Sequence, residues 1–305
     1  MYLEHFNLFE FPFTTSSNIK YFCNLSSHQY ALNILLFTLG AGDGFIKITG
    51  KIGTGKTMLC QELINNISDK YTIIHISSPP RTPQELYKAL AHELSISIDK
   101  NDELHNLQKI ITKQLLSLSN SEKKVVLIID EAQTMSEESL ESLRLLCDLE
   151  NASKKLLQIV LFGQPELDKK LAKKSLKQLK QRIAFSYRLN PISDTKELKN
   201  YVYHRLEKAG NKYTDIFSHQ ALNLLSKASA GIPRLINILC HKALMSAYGK
   251  GKRKVYFKEM LAAILDTESI PWKTKYLPFN FINWLILISI LVLAFELINT
   301  LIARL

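Results

Sequence analysis

The chain has 305 residues, of which 46% are hydrophobic, and a formal net charge of +11. That length and apolar content exclude a disordered chain and fit two domains, or one large domain with an appendage, while the excess of lysine and arginine points to an anionic partner: acidic nucleotide, nucleic acid or an anionic membrane surface. The four cysteines, Cys23, Cys60, Cys147 and Cys240, are far apart with no Cys-x-x-Cys, and no histidine pair has metal-ligand spacing, which excludes a disulfide framework or a zinc site of ordinary pattern. The amino terminus, Met-Tyr-Leu-Glu-His-Phe, lacks a basic region followed by an apolar one, so no signal peptide is expected.

In chain order, Phe6-Asn-Leu-Phe-Glu-Phe-Pro-Phe13 reads as an irregular lead segment that packs rather than floats. Leu32, Leu35, Leu36 and Leu39 form a helical stripe that ends at Gly40. Phe45-Ile-Lys-Ile-Thr49 is a first core strand, and it leads into Gly50-Lys-Ile-Gly-Thr-Gly-Lys-Thr57. This is the phosphate-binding pattern Gly-x4-Gly-Lys-Ser/Thr, with a strand before it and the helix-like Thr57-Met-Leu-Cys-Gln-Glu-Leu-Ile after it. Such a loop aims successive N–H groups at one phosphate, and the positive end of the following helix adds to them. Gly50, Lys51, Ile52, Gly53, Thr54, Gly55, Lys56, Thr57 and Met58 are therefore the candidate nucleotide-binding residues. Lys56 can reach the outer phosphates and the Thr57 hydroxyl can ligate Mg2+.

Tyr71-Thr-Ile-Ile-His-Ile-Ser77 is a second strand, and Thr82-Pro-Gln-Glu85 opens a helix with a cap, a first-turn proline and a capping box. Leu104, Leu107, Ile111, Leu115 and Leu118 mark another helix. Val125-Val-Leu-Ile-Ile-Asp-Glu-Ala132 is an unbroken apolar run ending in two carboxylates, the pattern of a central parallel strand buried on both faces. Ligands of open α/β sheets bind at the carboxyl ends of strands, so Asp130 and Glu131 stand beside the phosphate loop. Asp130 suits the direct or the outer shell of a metal, and Glu131 suits a base that polarises water. A helix over 136–151 and a strand over 155–162, closed by Gly163-Gln-Pro165, come next. The basic stretch Lys169–Arg182 reads first as a solvated helix face, and a last strand covers 184–189. Five strands alternating with helices predict an α/β fold, a parallel sheet with helices on both faces. After Pro191 the pattern is helical, with candidates at 194–209, 218–229, 233–248 and 258–266.

From Phe281 to Ala303 the chain is almost wholly apolar, close to the length that spans a bilayer as a helix. Trp284 suits an interface anchor, and Lys273 and Lys275 favour a cytoplasmic amino-terminal side. Glu296 counts against a span, and a buried helix of a globular protein is the alternative.

The phosphate loop, the Asp130-Glu131 strand end, the Gly163-Gln164 strand end, a basic segment and a helical lid, in that order, resemble an AAA+ ATPase. More narrowly, Phe6-Asn-Leu-Phe-Glu-Phe-Pro-Phe13, His28-Gln-Tyr-Ala-Leu32, Gly44-Phe-Ile-Lys-Ile-Thr-Gly50, Leu161-Phe-Gly-Gln-Pro-Glu-Leu167, Gln178-Leu-Lys-Gln-Arg-Ile183 and Gly231-Ile-Pro-Arg-Leu-Ile-Asn237 resemble the ATPases of the general secretion pathway A type and of mannose-sensitive haemagglutinin pilus biogenesis. The resemblance implies three further roles. Gln164 looks like the polar sensor that orients water or the γ-phosphate, against a plain hydrogen-bonding glutamine. Arg182 resembles the arginine finger offered to a neighbouring subunit, against a solvent-facing member of a basic helix. Arg234 resembles the second sensor, against a surface arginine at a helix start. The secretion-type relatives continue past a membrane helix into a peptidoglycan-binding domain, and this sequence stops just after the apolar stretch.

The expected organisation is a lead segment and helix over 1–44, an AAA+ core with a five-stranded parallel sheet over 45–191, a helical lid domain over 192–268, a linker over 269–280 and a transmembrane helix over 281–303. The expected protein is an Mg2+-dependent ATPase, a homo-oligomer on the inner membrane, single-pass, with its ATPase domain in the cytoplasm. It binds ATP and Mg2+ and works with inner-membrane secretion or pilus assembly proteins. A DNA-binding AAA+ protein of the transposition-helper kind is the first alternative. A nucleotide-gated structural organiser with little turnover is the second.

Overall fold

The computed structural model describes residues 2–16, 18–42, 44–99, 102–121, 123–151, 154–211, 215–270, 288–291 and 293. The chain divides into two compact units. One comprises Thr15–Ser193 with Ile232–Arg234, and the other the first residues to Thr14, Asp194–Gly231 and the chain from Leu235.

The first unit alternates helices and strands: α1 (Ser26–Ala41), β1 (Phe45–Gly50), α2 (Lys56–Asn66), β2 (Tyr71–Ile76), α3 (Pro83–Glu93), α4 (Leu104–Asn120), β3 (Lys124–Ile129), α5 (Glu137–Cys147), β4 (Gln158–Gly163), α6 (Pro165–Leu171), α7 (Lys177–Arg182) and β5 (Phe185–Leu189). The strands form one five-stranded sheet in the order β2-β3-β4-β1-β5, with every neighbouring pair parallel.

Because successive strand residues face opposite sides, the apolar runs fill two cores. Phe45, Ile74, Ile76, Leu127, Ile129, Ile159 and Leu161 pack with α3, α4 and α5. Ile46, Ile48, Val126, Ile128, Val160 and Phe162 pack with α1 and α2. That double burial is why β3 carries no polar residue between Val125 and Ile129.

Two sequence expectations shift at one place. The strand expected from 155 begins at Gln158, and the helix expected to 151 ends at Cys147. Glu150–Asn151 and Lys154–Lys155 instead pair as a short antiparallel ribbon, which takes the backbone hydrogen bonds of that stretch.

The second unit holds α8 (Thr195–Lys208), α9 (His219–Ser229), α10 (Pro233–Gly249, from Leu235 onward) and α11 (Phe257–Leu265). Buried polar groups fasten the lead segment within it. Arg205 Nε donates to the Pro12 carbonyl at 2.6 Å, and Asn211 Nδ2 donates to the Phe6 carbonyl at 2.6 Å.

The membrane expectation is corrected. Among the described residues no helix is long and apolar enough to cross a membrane, where about 20 consecutive residues are needed. Within 281–303 only residues 288–291 and 293 are described, all helical, and the rest of the expected transmembrane helix lies outside the described residues. The described residues therefore give no support to the transmembrane helix, and the single-pass inner-membrane location with a cytoplasmic ATPase domain is withdrawn.

Glu259, fully buried at 0% exposure, gives a pH prediction. Burial raises its proton affinity, but hydrogen bonds from Lys252, Lys250 and the Tyr256 N–H outweigh this and hold it at about 2, below the ordinary 4.5. A carboxyl with a depressed folded value stabilises the fold above its unfolded value and loses that contribution as pH falls through the folded one. Denaturant midpoints measured from pH 5 down to about pH 2 should therefore fall more steeply for the natural chain than for Glu259→Gln.

Candidate functional site

Gly50 ends β1 and pairs in register with Leu189 of β5, while Thr49 pairs with Gly163 of β4. The loop turns at Gly53 (φ +80°) and Gly55 (φ +94°), conformations that side chains rarely adopt. Neither position has room for a methyl group. A Cβ at Gly53 would lie 2.6 Å from the Arg234 Cβ, and one at Gly55 would lie 2.8 Å from His28 Nε2. Lys56 then starts α2, and its side chain folds back over the loop. Its Nζ donates to the Gly50 carbonyl at 3.1 Å and the Lys51 carbonyl at 3.3 Å. Burial pushes the Lys56 ammonium down, and the carboxylates of Glu131, Asp130 and Glu166 partly restore it. A buried cation ringed by carbonyls and carboxylates suits a phosphate chain, which brings charge to balance it.

The Thr57 hydroxyl donates to Asp130 Oδ2 at 2.6 Å. Asp130 is buried at the end of β3, and its Oδ1 accepts the Glu131 N–H at 2.8 Å. Among the described residues no group of three or more His, Cys, Asp or Glu could hold a metal. A hydroxyl and one carboxylate form a hard oxygen pair, and that donor set fits Mg2+, which takes few protein ligands and completes its shell with phosphate and water.

Glu131 has a left-handed backbone (φ 52°) and starts the 3-10 turn Ala132–Thr134. Such a conformation costs on the order of 1–3 kcal/mol in a residue other than glycine and gathers at functional sites. Gln164, at the end of β4, donates from Nε2 to Glu131 Oε2 at 3.1 Å. The Arg234 N–H donates to the Gly53 carbonyl at 3.1 Å, so its backbone lies against the loop, and its side chain is exposed.

The structure thus brings together Gly50–Thr57, Asp130, Glu131, Gln164 and the Arg234 backbone. It does not bring Arg182. That residue ends α7, ahead of the start of β5, while the loop follows the end of the parallel strand β1. Its Nη2 pairs with Asp148 Oδ1 at 2.9 Å. Met58 and the exposed Lys51 and Ile52 flank the loop.

Two residues escaped the sequence reading. His28, on α1 and 4% exposed, places Nε2 2.9 Å from the Thr54 carbonyl. Gln133 hydrogen-bonds both Glu131 and Gln164. His28 lies inside a quoted stretch, but no spacing rule ties a histidine to a loop 26 residues later.

Residues 40–171 match the AAA domain family. General secretion pathway protein A of Aeromonas hydrophila is 39% identical over 270 residues, which is 88% of this chain and 49% of that protein. The chain belongs to the AAA+ P-loop family. It spans about half the length of the curated relative it matches. Among solved structures, Cdc6p of Pyrobaculum aerophilum aligns with a TM-score of 0.64 at 17% identity, over 80% of this chain and 67% of that one. The ORC2 protein of Aeropyrum pernix aligns at 0.60 and 17%, over 83% and 72%. At such identities these two show a shared fold.

Gly53→Ala should lower the stability of the sheet unit by at least about 1–2 kcal/mol, the cost of a left-handed backbone, with the contact to Arg234 added. A denaturant midpoint equal to that of the natural chain would contradict the loop geometry.

Proposed function

We propose that the chain binds and hydrolyses ATP and drives assembly or remodelling of a secretion or type IV pilus machine as a homo-oligomer. The observation that carries the reading is the Thr57–Asp130 hydrogen bond beside buried Lys56 and Glu131. In this reading Gly50–Met58 hold the phosphates, and Lys56 neutralises the outer ones. Thr57 and Asp130 would hold Mg2+, which when bound supplies charge compensation on the β- and γ-phosphates. Glu131 takes the proton of the attacking water. Gln164 orients that water or the γ-phosphate, and Arg234 senses the phosphates from the start of α10. Residues 45–191 form the nucleotide-binding core and 192–268 the helical domain. The secretion assignment rests on the relative from Aeromonas hydrophila.

Lys56→Ala should weaken ATP binding by more than tenfold, because it removes the point charge. Glu131→Gln should bind ATP normally and lose roughly 10^2–10^4-fold in turnover, the contribution of a positioned base. Normal turnover by Glu131→Gln, measured beside an unaltered binding isotherm, would remove the base assignment.

Arg182 is proposed to act on the neighbouring subunit's nucleotide. Its place ahead of β5, paired with Asp148, supports a role outside its own loop. Fingers supplied in this way are worth on the order of 10^3-fold or more. Arg182→Ala should keep nucleotide affinity and lose hydrolysis. Mixing it with Glu131→Gln should restore part of the activity, since some interfaces then pair an intact Glu131 with an intact Arg182. Mixed oligomers no more active than their components would return Arg182 to a solvated basic face.

A further inference from the structure

We infer that Gln133 is the positioning residue for Glu131 in ATP hydrolysis, an inference that rests on Glu131 being the base. The turn after β3 is fixed from several sides. The Thr134 N–H and the Thr134 hydroxyl each donate to the Glu131 carbonyl at 2.9 Å. Lys170 Nζ, from α6, donates to the Gln133 carbonyl at 2.7 Å and the Met135 carbonyl at 2.5 Å. These bonds hold the left-handed backbone at Glu131 but leave its carboxylate undirected.

The Gln133 side chain supplies that direction. Its Nε2 donates to Glu131 Oε2, and its Oε1 accepts the Gln164 N–H at 2.9 Å. Gln164 Nε2 donates to the same Glu131 oxygen at 3.1 Å. One amide therefore ties the end of β4 to the carboxylate after β3. Among the described residues both side-chain hydrogen bonds to the carboxylate fall on Oε2, which leaves Oε1 for the proton of water. An amide donor suits the task because it orients a carboxylate without giving up a proton of its own.

The ionisable groups around Glu131 are Lys56 on α2 and Asp130 at the end of β3, and from α6 Glu166 faces Lys56 while Lys170 holds the turn. Within that set, Gln133→Glu keeps an acceptor for the Gln164 N–H but replaces the donor to Glu131 with a like charge. Gln133→Met keeps the bulk and removes both hydrogen bonds.

The experiment measures ATP affinity, KM and kcat for the natural chain, Gln133→Glu, Gln133→Met and Glu131→Gln in parallel. Both Gln133 variants should lose tenfold or more in kcat, with affinity and KM within about threefold. If Glu131→Gln is inactive while both Gln133 variants keep kcat, the inference is overturned and the base reading stands. If the Gln133 variants lose affinity in proportion to kcat, Gln133 only supports the fold and the inference is overturned. If Glu131→Gln turns over normally, the base reading fails and this inference fails with it.

Discussion

The hydrogen bond from Thr57 to Asp130 spans a strand. Thr57 belongs to the helix after β1 and Asp130 to the end of β3, and β4 lies between those two strands in the sheet. The bond depends on the register of three parallel strands, with Thr49 beside Gly163 and β3 ending two residues earlier, at Ile129 beside Leu161. A one-residue slip in either pairing would turn every side chain of the slipped strand to the other face. Sheet register, set by two apolar cores, is therefore what fixes the distance between a hydroxyl and a carboxylate. The same alignment brings Gln164 to Glu131, and the polar site follows from apolar packing.

Much of this was legible in the sequence because it is local. The loop pattern, the run Val125–Ile129 and the capping box at Thr82 are each fixed by neighbours a few residues away, and the structure has them where periodicity put them. The ends of elements were less legible. The chain at 148–157 is mostly polar with no clean period, and the ribbon pairing of Glu150–Asn151 with Lys154–Lys155 decides it through backbone bonds that no composition signals. The apolar stretch 281–303 carries two readings by hydropathy alone. Hydropathy measures cost of exposure to water, and membrane and protein interior both remove it.

The site residues that escaped are those whose role is tertiary. His28 meets Thr54 because α1 packs beside α2 against one face of the sheet, and that packing is carried by Leu35, Leu39, Leu59 and Leu63. Gln133 matters because the residue two places before it has a left-handed backbone, which an ordinary glutamate in sequence does not announce. A residue in that conformation in the loop itself is glycine, as at 53 and 55, and the sequence declares it. At 131 the residue is a glutamate, and the conformation is held from outside by Asp130, Thr134 and Lys170.

Glu131 and Lys56 together show how the site balances its charges. Lys56 is 5% exposed, and a cation so buried is costly unless it is matched. Asp130, Glu131 and Glu166 match it through space, while the carbonyls of Gly50 and Lys51 accept its hydrogen bonds. Those carbonyls belong to the phosphate loop, and one of the carboxylates is the proposed base. A phosphate chain in the loop would compete with both for the same ammonium. Binding would then turn the Lys56 charge to the phosphates, while the two amides of Gln133 and Gln164 aim the carboxylate.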